Sequence, residues 1–215
     1  MNATKSIGSG FKTRPWTRAG RLIAACALGL SMAGLAPEPD PVPRRWQLEI
    51  EPGPLRMATF NLGEQGPRRF FYMTYRVINN SGQELLFAPA FDLADGEGEV
   101  IRSGRDVPGA VTSALLEQAR NPFIQDQISI IGEIRQGAEN AKDGLVVWPA
   151  ATLRPQEITV YIGGLSGETA TVTSPDGKSR FVLRKTLKLD YASPGDLTAQ
   201  GADAFTVQSR AWIMR

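Results

Sequence analysis

The chain has 215 residues, with 24 Lys and Arg, 22 Asp and Glu, one cysteine and no histidine. A formal charge of +2 lacks the clustered positive excess of a nucleic-acid binder, so no nucleic-acid partner is expected. Without histidine there is no Ser-His-Asp or Cys-His nucleophile, and a lone Cys26 leaves no internal disulfide and no Cys/His zinc site.

The first predicted element is a leader. Before residue 22 the only charges are Lys5, Lys12, Arg14, Arg18 and Arg21, and an uncharged apolar run over 22–36 follows. A basic segment, then an apolar one, then small residues is the pattern of a secretory signal peptide. The run is shorter than the roughly 20 residues of a spanning helix. Ser31 and Ala33 suit the positions before a cleavage site, so 1–33 is expected to leave as a signal peptide. The membrane is a partner only if that leader is retained. Ile23-Ala24-Ala25-Cys26 spells a lipobox, but the apolar run follows the cysteine instead of preceding it, and lipidation is not expected. All five of those basic residues and no acidic one depart with the leader, so the mature chain is net acidic. The expected location is exported: periplasm, cell envelope or medium.

Residues 34–43 carry proline at every second position from Pro37 to Pro43, a stiff spacer. A single domain is expected over 44–215. About 180 residues remain after the leader, enough for a real core, which must hold the domain without disulfides.

From there the hydrophobic period is two. Trp46, Leu48 and Ile50 alternate with polar residues, and a short run over 56–61 follows the Pro52-Gly53-Pro54 break. The clearest strand is 70–79, with Phe71, Met73, Tyr75 and Val77 on one face and Phe70, Tyr72, Thr74 and Arg76 on the other. An extended stretch over 85–93 is interrupted by Pro89, and Asp95-Gly96-Glu97-Gly98 closes a hairpin onto 99–103. Val111, Leu115 and Ala119 at helical spacing, ended by Asn121-Pro122, predict a helix over 109–120. Residues 123–134 suit a helix through Ile124, Ile128 and Ile131, or a strand over 128–134; 137–144 reads as a loop. Strands resume at 145–148, 158–162, 169–173 and 180–191, with a turn at Pro175-Asp176-Gly177 and a closing strand over 204–214. In 180–191 the apolar face is Phe181, Leu183, Leu187, Leu189 and Tyr191, and Lys185 falls in the same phase, where either a bulge resets the register or the ammonium reaches a partner or solvent past the core edge. Trp46, Trp148 and Trp212 read as core or interface anchors. The expected fold class is mainly β, an antiparallel immunoglobulin-like sandwich with one short helical insertion.

Tyr75-Arg76-Val77-Ile78-Asn79-Asn80-Ser81-Gly82, followed by Phe91-Asp92-Leu93-Ala94-Asp95-Gly96-Glu97-Gly98-Glu99, resembles a group of bacterial exported immunoglobulin-like domains of unknown function. In that group a strand ending in Asn-x-[Ser/Thr]-Gly precedes a strand–Asp-Gly–strand hairpin. The resemblance covers some thirty residues and implies a fold and a compartment. It brings no catalytic residues.

Candidate chemistry is sparse. Asp92, Asp95, Glu97 and Glu99 form the densest carboxylate cluster, but they lack the calcium-loop spacing and read as a solvated hairpin. Glu139 with Asp143 is a weaker case of the same kind. Gly164-Leu165-Ser166-Gly167-Glu168 fails as a serine elbow because Glu168 stands in place of the second glycine. The only Ser-x-x-Lys spacing, Ser9 to Lys12, lies in the leader. Arg180, Arg184 and Lys188 share parity opposite the apolar face of their strand, a basic stripe about 27 Å long at ~3.4 Å per residue. Tyr72 and Tyr161 sit on the polar phase of their strands, where exposed aromatics can stack sugars. These observations favour a non-catalytic exported envelope module, interacting or structural, with no cofactor. Its expected partner is an anionic envelope polymer, a glycan or a protein. Two alternatives stay open: a carbohydrate-binding module using Tyr72 or Tyr161, and a hydrolase built on paired carboxylates.

Overall fold

The computed structural model describes residues 46–96, 98–150, 157–192 and 205–215. The chain divides after Arg44, and all of these residues lie in the unit Arg45–Arg215. The expected leader and proline spacer lie outside the described residues, as does Glu97.

The elements in chain order are β1 (Glu49–Pro52), β2 (Arg56–Asn61), β3 (Pro67–Ile78), β4 (Leu85–Phe87), β5 (Ala90–Asp95) and β6 (Val100–Arg102). The helix α1 (Gly109–Gln118) follows, then β7 (Ile124–Gln125), β8 (Gly132–Ile134) and β9 (Lys142–Pro149). The chain continues through β10 (Glu157–Gly163), β11 (Thr169–Thr173), β12 (Arg180–Ala192) and β13 (Thr206–Met214). The fold is mainly β, with antiparallel sheets and one α-helix among the described residues; the short β7 alone runs parallel to its neighbour, β9. One sheet has β1 and β2 on β3, then β9 and β7. A second has the order β11-β12-β10-β5-β6, with β13 also on β12, and β4 pairs with β8 in a small ribbon.

Alternation explains the core. Phe71, Met73 and Val77 of β3 with Val146 and Trp148 of β9 join Phe91, Leu93, Val160, Ile162, Leu187 and Leu189 of the second sheet in one apolar cluster. Each such side chain contributes roughly 1.5–3 kcal/mol on leaving water. Trp148 is fully buried, and Trp46 and Trp212 pack at the rim of this cluster as anchors.

The opposite face of β3 is also apolar. Phe70 and Tyr72, with Leu145 and Val147 of β9, are capped by Val111 and Leu115, which stand one helical turn apart on α1. The helix begins after Pro108, whose φ of −62° suits its entry, and stops where Arg120 turns left-handed at φ 51°, just before Asn121-Pro122. The expected helix is therefore present.

Three local expectations change. Residues 123–134 are neither one helix nor one strand: β7 and β8 flank a turn in which Asp126 accepts the amides of Ile128 and Ser129, at 2.8 and 3.1 Å, and the Ser129 hydroxyl. That local side-chain chemistry outcompetes the helical spacing of the isoleucines. The stretch 85–93 splits at Pro89 into β4 and β5, which belong to different sheets. Phe181, assigned to the apolar face of its strand, is 53% exposed, because the β11–β12 end of the second sheet projects past the core. Lys185 needs no bulge: its ammonium leaves the apolar phase to meet Glu168 at 3.1 Å and lies 5.4 Å from the Trp212 ring.

The Asn79-Asn80-Ser81-Gly82 segment has a structural role. Asn79 is fully buried; its amide donates to the carbonyls of Gln83 (2.8 Å) and Ile134 (2.9 Å), and its oxygen accepts from Ser81. It thereby ties the end of β3 to β8.

Candidate functional site

The two sheets present very different outer faces. In the second sheet the odd-numbered core side chains of β5 and β12 and the even-numbered ones of β10 point inward, so the intervening positions line up across its outside. Backbone register places Arg102 opposite Asp92, Asp92 opposite Tyr161, and Tyr161 opposite Lys188. The adjacent row runs Ala94, Thr159, Asp190 and Ser209.

Asp92 is the hinge of the first row. Its carboxylate accepts from Arg102 Nε at 3.2 Å and from Arg215 Nη1 at 2.8 Å. The Arg215 guanidinium lies 4.3 Å from the centroid of the Tyr161 ring, a cation–π contact. Arg215 reaches this position because its backbone exchanges hydrogen bonds with Arg184, at 2.7 and 3.1 Å, extending the β12–β13 ladder. Beside them lies a shallow depression of about 360 Å³. Its floor is made of small residues, Ala88, Ala90, Gly163 and Gly164, and its rim of Tyr161, Arg102, Arg184, Arg215 and Asp92. Gly164 is required there: its φ is 80°, and a Cβ would come within 2.5 Å of the Ala88 carbonyl oxygen. Among the described residues no acceptor binds the Arg184 guanidinium, which is exposed.

The second row is a closed polar network. Asp190 accepts from Ser209 (2.6 Å), Thr159 (2.7 Å) and Lys188 (2.9 Å). Burial by itself would raise the Asp190 carboxyl, but these three bonds and the lysine charge outweigh it and hold the group below the ordinary carboxylate value. The bond to Asp190 in turn raises Lys188.

The basic stripe read from sequence is thus divided. Lys188 is engaged by Asp190, Arg180 stands opposite Thr173 on the projecting β11–β12 end, and Arg184 alone of the three lines the depression. Arg102 and Arg215, which sequence reasoning missed, complete the cluster. The signal for Arg102 was present, since the Asp95-Gly96 hairpin sets β6 against β5 and brings Arg102 opposite Asp92. None existed for Arg215, whose pairing with β12 is long-range.

Tyr161 is half-buried beside this cluster, and the ring face under Arg215 is closed to sugar stacking. Tyr72 is not an exposed aromatic: it is 9% exposed, inside the cluster sealed by Val111 and Leu115. Its edge borders a groove of about 550 Å³ between the end of α1 and the outside of β3. Among the described residues two carboxylates line the groove, Glu51 and Asp143; Asp143 is held by Asn121 at 2.9 Å and Arg76 at 3.7 Å, and Glu139 lies on a separate turn.

Nor do the hairpin carboxylates converge. Alternation along β5 sends Asp92 to the outer face with its arginines, whereas Asp95 is buried at the strand end and accepts the Glu99 amide at 3.0 Å to close the hairpin. Among the described residues no cluster of three potential metal ligands forms. Compared with known proteins, the chain matches no family model, no curated protein and no solved structure.

Proposed function

We propose that this chain is an exported, non-catalytic envelope module of immunoglobulin-like sandwich type that binds an anionic polymer on the outer face of its second sheet. One observation carries the reading: three guanidinium groups from distant parts of the chain, Arg102, Arg184 and Arg215, rim one depression whose only carboxylate among the described residues is Asp92. Two of them share that carboxylate, so they are held in place while their combined charge is only half neutralised. Fixed guanidinium forks recognise carboxylate and phosphate or sulfate esters well. The small floor lets a polymer backbone approach closely. The leader pattern, the proline spacer and the absence of histidine support an exported binder rather than an enzyme. The two antiparallel sheets about one core support the sandwich type.

Binding of the exported protein to polygalacturonate and dextran sulfate, with neutral dextran as control, tests the reading. Arg184→Gln is expected to weaken polyanion binding by about tenfold, and the wild-type affinity to fall steeply with salt, since exposed charges act within a Debye length of about 8 Å. Equal binding by Arg184→Gln and wild type, or equal binding to neutral dextran, overturns it. Export has its own test. Mass spectrometry is expected to find an unlipidated N-terminus between Gly34 and Glu38; an intact Met1 start in the membrane fraction overturns that part.

A further inference from the structure

The edge strands of this fold are guarded unequally. β1, β2, β6 and β13 each pair on one side only and each carries charge: Glu49 and Glu51, Arg56, Arg102, and Arg210 respectively. Such charges are how proteins discourage edge-to-edge pairing. β11 is also an edge, bonded among the described residues only to β12, yet it reads Thr-Ala-Thr-Val-Thr, with no charge, proline or bulge. Its own Val172 is 41% exposed, and Phe181 and Val182 of the neighbouring β12 are 53 and 62% exposed.

The hydrogen-bond phase shows which backbone groups are open. Lys185 donates to the Glu168 carbonyl and Ser174 to the Ser179 carbonyl, at 3.0 and 2.8 Å. Alternation along the ladder therefore turns the N–H and C=O of Thr169, Thr171 and Thr173 away from β12, toward the open edge.

We infer that β11 pairs antiparallel with β11 of a second copy of this chain, about a two-fold axis at Thr171. The strand is self-complementary in that register. Thr171 meets its own equivalent and Thr169 meets the other copy's Thr173, each pair exchanging both of its N–H···O=C bonds. Thr–Thr pairs across strands are favourable, and no like charges face each other. On the inner face, Ala170 meets the other copy's Val172. Since Ala170 pairs with Leu183 and Val172 with Phe181, the exposed apolar positions of both copies form continuous rows across the junction. An axis perpendicular to the sheet keeps like faces together, so both basic depressions lie on the same side. A single polymer could then engage two sites, with the avidity that follows.

Sedimentation of the full chain, purified as the host releases it, needs no ligand and so is independent of the polymer reading. A reversible dimer is expected to form between micromolar and hundreds of micromolar protein. The amides of Thr169, Thr171 and Thr173 should become protected from hydrogen exchange over the same range. Thr171→Pro removes an outward donor without touching the β11–β12 ladder, and should leave the chain monomeric. Thr171→Lys, which retains every backbone donor, places two ammonium groups in one pair and should weaken the dimer by about tenfold or more. Thr171→Val should dimerise as wild type. A chain monomeric throughout the range, or a dimer insensitive to Thr171→Lys, overturns the inference.

Discussion

Tyr72 and Tyr161 carry the same signal in sequence, an aromatic on the polar phase of a strand, and end in opposite environments. Tyr72 lies on the outside of the first sheet, where Val111 and Leu115 of α1 seal it with Phe70, Leu145 and Val147. Tyr161 lies on the outside of the second sheet, where no helix of the described residues covers it and Arg215 packs over its ring. The local pattern around Tyr72 was less polar than it looked. Phe70 shares its face, and a strand apolar on both sides asks for a second covering layer. Around Tyr161 the companions are Thr159, Asp92 and Lys188, which need no cover. An aromatic on a polar phase thus becomes core or surface according to its same-face neighbours.

The sharpest way to break this comparison is to truncate both rings. Tyr72→Ala is expected to cost about 3 kcal/mol in chemical denaturation, from lost burial and the cavity left under the helix. Tyr161→Ala should cost no more than about 1 kcal/mol. Equal losses would mean that α1 does not seal the first sheet. Leu115→Ala tests the same seal from the helix side, with an expected loss of about 2–3 kcal/mol.

On the outer face of the open sheet the stabilising contacts are polar. Asp190→Ala should cost about 1–2 kcal/mol at neutral pH, since it leaves Thr159, Lys188 and Ser209 without their common acceptor. The folded carboxyl is held below its ordinary value, so its contribution is complete above that value and fades as pH falls through the folded one. Urea titrations at pH 7 and pH 3 should therefore show the gap between wild type and Asp190→Ala narrowing at the acid end. A gap that widens in acid would refute the network. The smallest stability effect belongs to Arg184→Gln, expected to leave the melting temperature within the shift of about 0.5 kcal/mol while reducing polyanion binding. A large drop in melting temperature would make Arg184 a structural residue.

Much of the fold was legible because its strands obey a period of two. The faces of β3, the Asp95-Gly96 hairpin, the helix ended at Asn121-Pro122 and the anchoring role of Trp148 all follow from local patterns. Residues 123–134 were not legible, because one carboxylate, Asp126, sets a turn that apolar spacing does not report. Of the candidate site, Arg184 and Tyr161 were visible as positions on an outer face, and the stripe to which Arg184 was assigned was not the unit that forms.

The amino-acid sequence by itself determined which faces are apolar, where turns fall, and that catalysis through histidine or cysteine is absent from the described domain. Those properties depend on residue type and on neighbours a few positions away. Only the tertiary structure decided that α1 covers Tyr72, that the end of β12 projects and exposes Phe181, and that Arg102, Arg184 and Arg215 meet beside Asp92. Each of these depends on which strands pair and in what register. A one-residue slip in register would send every side chain of β12 to the other face, and the many long-range contacts of both sheets together select the one alignment that buries Leu187, Leu189 and Tyr191.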